Sequence, residues 1–353
     1  YLNLYLVPPE QEYAFESSAV MLGIEYILRK AQELKRPAAI CIGLGTNQGG
    51  HDALSLFELY LNRISILHGF ALCVAAGNEV NARRHYFGTI ESVGQPHQVQ
   101  LRVGEDAGNI YLGIWNTAAD QISVSVTSPM GEIVERFPAA DLALLESRLV
   151  LEKATVIIDY YFPTRGLGSQ STVIKILNAT PGIWTITIYG EIILEGQFHI
   201  WLPIQGFVSP TVEFLRPSPY YTVVVPGTAL QVITCGGYNS LTNSLYENSS
   251  WGPTRRELLS PDLVAPAVNV LGVYPEEEVG TMTGTSVAAA ITTGASALML
   301  QWGIVQGHNV AMSTSQIKAY LIRGAIRLPE IKYPNQQWGY GMLNLFNAFE
   351  LLR

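Results

Sequence analysis

Gly280-Thr281-Met282-Thr283-Gly284-Thr285-Ser286-Val287-Ala288-Ala289-Ala290 is the stretch on which the reading of this chain turns. A turn of small residues delivers one serine to the start of an uncharged, alanine-rich helical run reaching Trp302. A serine hydroxyl is a weak nucleophile unless it is exposed, held still and served by a base. The first turn of a helix supplies N–H groups without intrahelical acceptors and a partial positive charge, both of which favour an oxyanion. Loops ahead of helices are also rich in Gly, Ser and Thr as caps. Gly284-Thr285-Ser286 alone therefore reads first as a cap.

Other segments change that balance. Leu72-Cys73-Val74-Ala75-Ala76-Gly77-Asn78-Glu79 is an apolar, strand-like run ending in small residues and a carboxamide. Ala38-Ala39-Ile40-Cys41-Ile42-Gly43-Leu44-Gly45 is a buried strand breaking into glycines. A phosphate-loop reading of Gly43 to Gly50 fails, because no Gly-Lys-Ser/Thr follows. Ser250-Trp251-Gly252-Pro253, Ser260-Pro261-Asp262-Leu263-Val264-Ala265-Pro266 and Trp338-Gly339-Tyr340-Gly341 complete the set. In this order the segments resemble the catalytic domain of the subtilisin-like serine proteases (subtilases), over about two thirds of the chain. The nucleophile motif of that family is Gly-Thr-Ser-x-Ala.

The resemblance implies a role for each position. Ser286 would be the nucleophile. The side-chain amide of Asn78 would point at the carbonyl oxygen of the scissile bond, where charge appears only in the transition state. Gly43, Leu44 and Gly45 would lie along the substrate backbone and form one wall of the first specificity pocket, glycine allowing close approach. Ala75, Ala76 and Gly77 would line the same pocket, whose floor has no assignment. Read without the family, Asn78 is an ordinary strand-end turn residue.

A protease of this kind also needs a histidine base and a carboxylate that orients it. The family supplies both ahead of the Asn, and no His-Gly-Thr occurs in this chain. Tyr1-Leu2-Asn3-Leu4-Tyr5-Leu6-Val7 matches the strand that follows the family's histidine helix. His51, His68, His85, His97, His199 and His308 all sit outside a matching context. The tempting pair His51-Asp52 reads as helix capping. Two explanations follow. The chain is the C-terminal portion of a longer subtilase, with Asp and His on an N-terminal fragment, or it belongs to a pseudoprotease. The absence of an initiating Met and of a signal peptide favours the first, as does a parallel-sheet strand edge that some other segment must cover.

Composition sets the remaining bounds. The chain has 353 residues, 48% hydrophobic and 14% charged, with net charge −8. That describes a well-buried globular protein of two domains and argues against nucleic-acid or anionic-membrane partners. Cys41, Cys73 and Cys235 fall in apolar runs and read as buried free thiols. No Cys/His spacing suggests zinc, and no metal or other cofactor is expected. The uncharged run from Ser286 to Trp302 is just short of a membrane span and reads as a buried core helix.

Residues to about Ala76 alternate strand and helix, which means a parallel sheet with covering helices. Ser17 or Ser18 caps one helix, with an apolar stripe of Val20, Ile24, Ile27, Leu28 and Ala31. The next is capped by Asp52 and carries Leu56, Leu59, Tyr60 and Leu67. From about Thr89 to Gln205 the period changes to two, as in Gln98–Val103, Gln121–Val126 and Ile183–Ile188, with a turn at Ser128-Pro129-Met130-Gly131. The expected division is 1–88 core, 89–206 an inserted all-β jelly roll, and 207–353 core with the nucleophile helix. The fold class is α/β, a subtilisin-like parallel sheet flanked by helices and incomplete at its N-terminus.

Such an insertion between Asn78 and Ser286 is similar to that of the Csp subtilases of spore-forming clostridia. So are Ile317–Ala325 and Ala290, where ordinary subtilases carry proline. That resemblance implies a limited-specificity protease of the bacterial spore, in the cortex and coat region. Its polypeptide substrate would be the precursor of a cortex-degrading hydrolase, activated in germination. Some members have lost triad residues and act as pseudoproteases in germinant signalling.

Overall fold

The computed structural model, which describes residues 14–162, 169–275 and 278–352, builds its first unit around the run Phe70–Ala75. The expected strand Tyr1 to Val7 lies outside the described residues. In chain order come α1 (Ser17–Glu33), β1 (Ala38–Ile42), α2 (Leu56–Ser65) and β2 (Phe70–Ala75). β1 and β2 pair in parallel, Ala38 opposite Phe70 and Ile42 opposite Val74. Successive side chains of a strand face opposite ways. Phe70, Leu72 and Val74 therefore pack with Ile24, Leu28 and Ala31 of α1 and Phe57, Leu61 and Ile64 of α2. Ala71, Cys73 and Ala75 pack on the opposite face. Small residues there let a helix approach closely.

Two helix expectations need correction. In α1 the buried set is Ile24, Leu28 and Ala31, while Ile27 is 39% exposed. Its N-cap is Glu16, whose carboxylate accepts from Ser18 and makes no capping bond of its own. In α2 the cap is Ser55, not Asp52. The Ser55 hydroxyl accepts from the Glu58 N–H at 3.2 Å, and the Ser55 N–H donates to the Glu58 carboxylate at 3.1 Å. That reciprocal pair is a capping box. It shifts the helix by three residues and turns Phe57, Leu61 and Ile64 inward, leaving Leu56, Leu59 and Leu67 exposed.

The second unit begins with β3 (His85–Thr89), β4 (His97–Val103), β5 (Ile110–Thr117), β6 (Gln121–Thr127) and β7 (Ile133–Val134). It continues with β8 (Leu144–Arg148), β9 (Thr155–Tyr161), β10 (Ser169–Leu177), β11 (Gly182–Ile192), β12 (Gln197–Trp201) and β13 (Glu213–Phe214). They form a six-stranded antiparallel sheet, β3-β12-β5-β10-β9-β8, and a five-stranded one, β13-β4-β11-β6-β7. The pairing nests: β3 with β12, β4 with β11, β5 with β10. Inward positions alternate along each strand, as with Val99, Leu101 and Val103 or Ile122, Val124 and Val126, and meet in one core with Trp184, Phe198 and Tyr160. Buried carboxylates hold the turns. Asp120 accepts from the N–H groups of Leu194, Glu195 and Gly196 at 2.6, 3.0 and 2.8 Å.

This unit comprises residues 47–50 and 82–219, wider than the expected 89–206. The cause lies at its two ends. β13 pairs with β4, and Arg83 donates to the Phe214 and Leu215 carbonyls, so both flanking segments are tied into the sheets. Asn47 joins through a 3.0 Å bond to the Leu202 carbonyl.

His97 offers a pH test of this unit. Its Nδ1 lies 3.2 Å from the Thr89 carbonyl and its Nε2 2.7 Å from the Tyr86 hydroxyl. The first contact makes Nδ1 the protonated nitrogen, so Nε2 accepts. Burial lowers the His97 pKa below its ordinary 6.5, partly countered by the Thr89 carbonyl. A lowered folded-state pKa means that the unfolded chain binds the proton more readily. His97 thus contributes fully above pH 6.5 and loses that contribution as pH falls through the folded value. The melting temperature should drop between pH 7 and 5 less in His97→Gln than in the wild type. Equal drops would show that His97 does not couple.

The first unit resumes with β14 (Ile233–Asn239), β15 (Ser244–Leu245), β16 (Leu263–Pro266), β17 (Val270–Val273) and β18 (Val279–Met282). The helices α3 (Thr285–Leu300), α4 (Thr314–Gly324) and α5 (Leu345–Glu350) follow. β14 adds in parallel to β2 and β16 to β14, giving the order β1-β2-β14-β16, while β15 pairs antiparallel with β14. β17 and β18 form a separate antiparallel ribbon that leads into α3. α3 packs Ala288, Ala289, Met299 and Leu300 on the small-residue face of the sheet, with α4 and α5 beside it. Its buried hydroxyls are satisfied one turn back: Thr292 donates to the Ala288 carbonyl and Ser296 to that of Thr292, both at 2.8 Å. A π-helical turn, Gln301–Val305, prolongs α3. The helical run Thr285–Val305 thereby reaches 21 residues, longer than read from sequence and long and apolar enough to cross a membrane by length and composition.

Candidate active site

The site lies where β1 and β2 end and α3 begins, all in the first unit. Gly284 precedes α3 with φ +144° and donates to the Ala267 carbonyl at 2.8 Å. A side chain there would be strained, so glycine sets the angle at which the helix starts. Ser286 follows in the first turn, where its N–H has no intrahelical acceptor. Its hydroxyl donates to the Gly43 carbonyl at 2.8 Å. A Cβ placed on Gly43 would stand 3.3 Å from the Ser286 Cβ. The glycine strip and the serine are therefore in van der Waals reach.

Asn78 is oriented by its partners. Its Oδ1 accepts from the Thr285 N–H at 3.0 Å and from the Thr285 hydroxyl at 3.1 Å. A backbone N–H can only donate, so the oxygen must face Thr285 and the NH₂ must face away. A Cβ on Gly284 would lie 3.5 Å from Asn78 Nδ2 and 4.0 Å from the Ser286 N. Both donors thus flank one small region at the head of α3. A fixed amide beside a helix N-terminus has the chemistry to stabilise negative charge.

Thr285 is the residue that sequence reasoning passed over. Its hydroxyl donates to Asn78 and accepts from the Gly77 N–H at 3.1 Å. One side chain therefore locks the head of α3, the Asn78 amide and the end of β2 together. Ser250 does similar work behind the strand: its hydroxyl accepts from the Glu79 N–H at 3.0 Å, and its N–H donates to the Gly77 carbonyl at 2.9 Å. Both residues belong to the Gly284-Thr285-Ser286 and Ser250-Trp251-Gly252-Pro253 segments, but only their partners, remote in sequence, disclose what they hold. Thr285→Val should lower kcat about tenfold with little change in KM, the scale expected for a slightly misplaced group. Thr285→Ser should restore it. A rise in KM alone, or no rescue by serine, would show that Thr285 merely packs.

The remaining polar groups are structural. His51 Nδ1 lies 2.8 Å from the Val223 carbonyl. Asp52 accepts from the Leu54 N–H and pairs with Arg255, both side chains buried. The expected capping by this pair is replaced by a loop clasp. His85 and His199 bond each other at 3.1 Å and stack with Trp201 in the second unit. Cys73 and Cys235 are buried free thiols, whereas Cys41 is exposed, β1 having only β2 beside it among the described residues. Burial pushes the Cys73 thiol up to about 11 and raises Cys41 and Cys235 as well. None is a thiolate at neutral pH, so none is an activated nucleophile. Among the described residues, no group of three His, Cys, Asp or Glu side chains converges to hold a metal ion.

A parallel α/β core with a serine at the head of its central helix and a carboxamide facing it defines a class of hydrolase scaffold, and the chain belongs to the subtilase family of serine proteases. The family model matches residues 216–341. The solved structure of the Clostridium perfringens CspB protease superposes with a TM-score of 0.88 at 33% identity, covering 96% of this chain and 71% of that one. The major intracellular serine protease of Bacillus subtilis is 31% identical over 118 residues, 33% of this chain and 32% of that protein. The mouse membrane-bound transcription factor site-1 protease is 30% identical over 179 residues, 48% of this chain and 16% of that protein. The chain thus spans a third or less of the length of these two curated relatives.

Proposed function

We propose that the protein is a serine endopeptidase in which Ser286 attacks a peptide carbonyl. A histidine oriented by an aspartate, both from outside the described residues, takes the hydroxyl proton and returns it to the leaving amine. Water then hydrolyses the acyl-enzyme by the reverse proton path. The Asn78 amide and the Ser286 N–H stabilise the oxyanion. An extended substrate adds along Gly43-Leu44-Gly45 by main-chain hydrogen bonds, and Ala75, Ala76 and Gly77 line the first pocket. The observation that carries this reading is the Asn78–Thr285 clasp, which holds the amide oxygen on the head of the serine's helix and leaves the NH₂ turned outward as a donor.

We further read the nested strand order of the second unit as a jelly roll inserted in the protease core. We take the substrate to be the precursor of a spore cortex hydrolase, cleaved in germination in the cortex and coat region. The Csp resemblance and the likeness to the CspB protease support both. The full-length protein should label with a fluorophosphonate probe at Ser286 and lose the label in Ser286→Ala. Failure to label, beside a control subtilase that labels, would favour a pseudoprotease that binds its partner through the same groove.

A further inference from the structure

Val224 stands where the two pocket walls meet. Residues two apart on an extended chain face the same way. Gly43 turns its open side to Ser286, and Gly45 turns the same side to Val224. A Cβ on Gly45 would fall 2.3 Å from Val224 Cγ2. From the opposite wall, a Cβ on Gly77 would fall 2.7 Å from Val224 Cγ1. The two methyls are therefore wedged between Gly45 of one wall and Gly77 of the other. Val224 is 3% exposed. Its backbone is held by its N–H to the Ala76 carbonyl at 2.9 Å and by its carbonyl accepting from the Gly227 N–H at 2.7 Å. On either side, the Val223 carbonyl meets His51 Nδ1 at 2.8 Å and Val225 bridges to Thr46. A side chain pinned on both flanks cannot swing aside for a substrate.

We propose that Val224 closes the floor of the first specificity pocket and restricts the residue before the scissile bond to narrow side chains, excluding aromatic rings. This rests on the pocket assignment under the proposed function. The walls are glycine and alanine, which leave a slot between backbones, and a β-branched residue at its base takes the depth that a ring would need. A pocket discriminates by roughly tenfold or more for a misfit of one or two methylenes.

Binding and turnover read the slot separately. In the full-length protein with Ser286→Ala, fluorescence polarisation would compare two product-like peptides identical except for a C-terminal alanine or phenylalanine. The alanine peptide should bind at least about tenfold tighter. Adding Val224→Gly should reverse the order, and Val224→Ala should fall between. In the protein with its serine intact, kcat/KM for the matching anilides should follow the same ranking. Phenylalanine bound as well as alanine, or a ratio that Val224→Gly and Val224→Ala shift by less than about twofold in folded protein, overturns the proposal. Peptide selectivity without turnover would overturn the protease reading and leave the role of Val224 standing.

Discussion

Asn78→Asp should leave the melting temperature nearly unchanged and lower kcat by about 10² to 10³, the loss established for such a donor in subtilisin, a relative of this chain. The reason is the asymmetry of the side chain's partners. An aspartate keeps an oxygen for the Thr285 N–H and hydroxyl, and a carboxylate at a helix N-terminus is favourable. What disappears is the outward N–H₂, and a charge that repels the oxyanion replaces it. KM should move little, because the donor acts mainly on the transition state. Asn78→Ala should lose the same rate and also uncap Thr285, costing about 1 kcal/mol of stability. Steady-state kinetics beside thermal melts of the two variants separate the roles. An aspartate variant within threefold of wild-type kcat would remove Asn78 from the chemistry.

Arg255→Met should destabilise the protein by about 3–5 kcal/mol, the usual result of leaving one partner of a buried ion pair alone. The Arg255 and Asp52 side chains are only 8% and 3% exposed. The Arg255 N–H also donates to the His51 carbonyl at 2.9 Å, so the pair clasps the loop before α2 to the loop after Gly252. Removing both charges in Asp52→Leu with Arg255→Met should recover much of the loss, because well-packed apolar pairs replace such bridges at little cost. Denaturant unfolding of the single and double variants gives the coupling. A single variant within 1 kcal/mol of wild type would mean that water reaches the pair.

The candidate serine was legible in the primary structure for a local reason. A nucleophile at a helix head needs small residues before it and an apolar helix after it, and both are written contiguously around Ser286. The period-two alternation of the insertion, with its turn at Ser128–Gly131, is equally local: the Gly131 N–H returns to the Ser128 carbonyl at 3.0 Å. Boundaries were less legible. Serine and aspartate both suit the approach to α2, and the capping box of Ser55 with Glu58 decides between them by two hydrogen bonds that composition does not rank. The insertion's limits moved outward for a similar reason, since β13 has only two residues and acquires its identity from β4.

Sequence by itself determined the layer architecture and marked Ser286, Asn78 and the Gly43–Gly45 strip as candidates, because periodicity, small-residue turns and motif order are properties of neighbouring residues. Only the tertiary structure decided which way the Asn78 amide points, what Thr285 and Ser250 hold, that Asp52 meets Arg255, and that Val224 lies between Gly45 and Gly77. Each of those rests on contacts between residues far apart in the chain. Such a contact depends on how β2, β14 and α3 pack, and no local pattern records it.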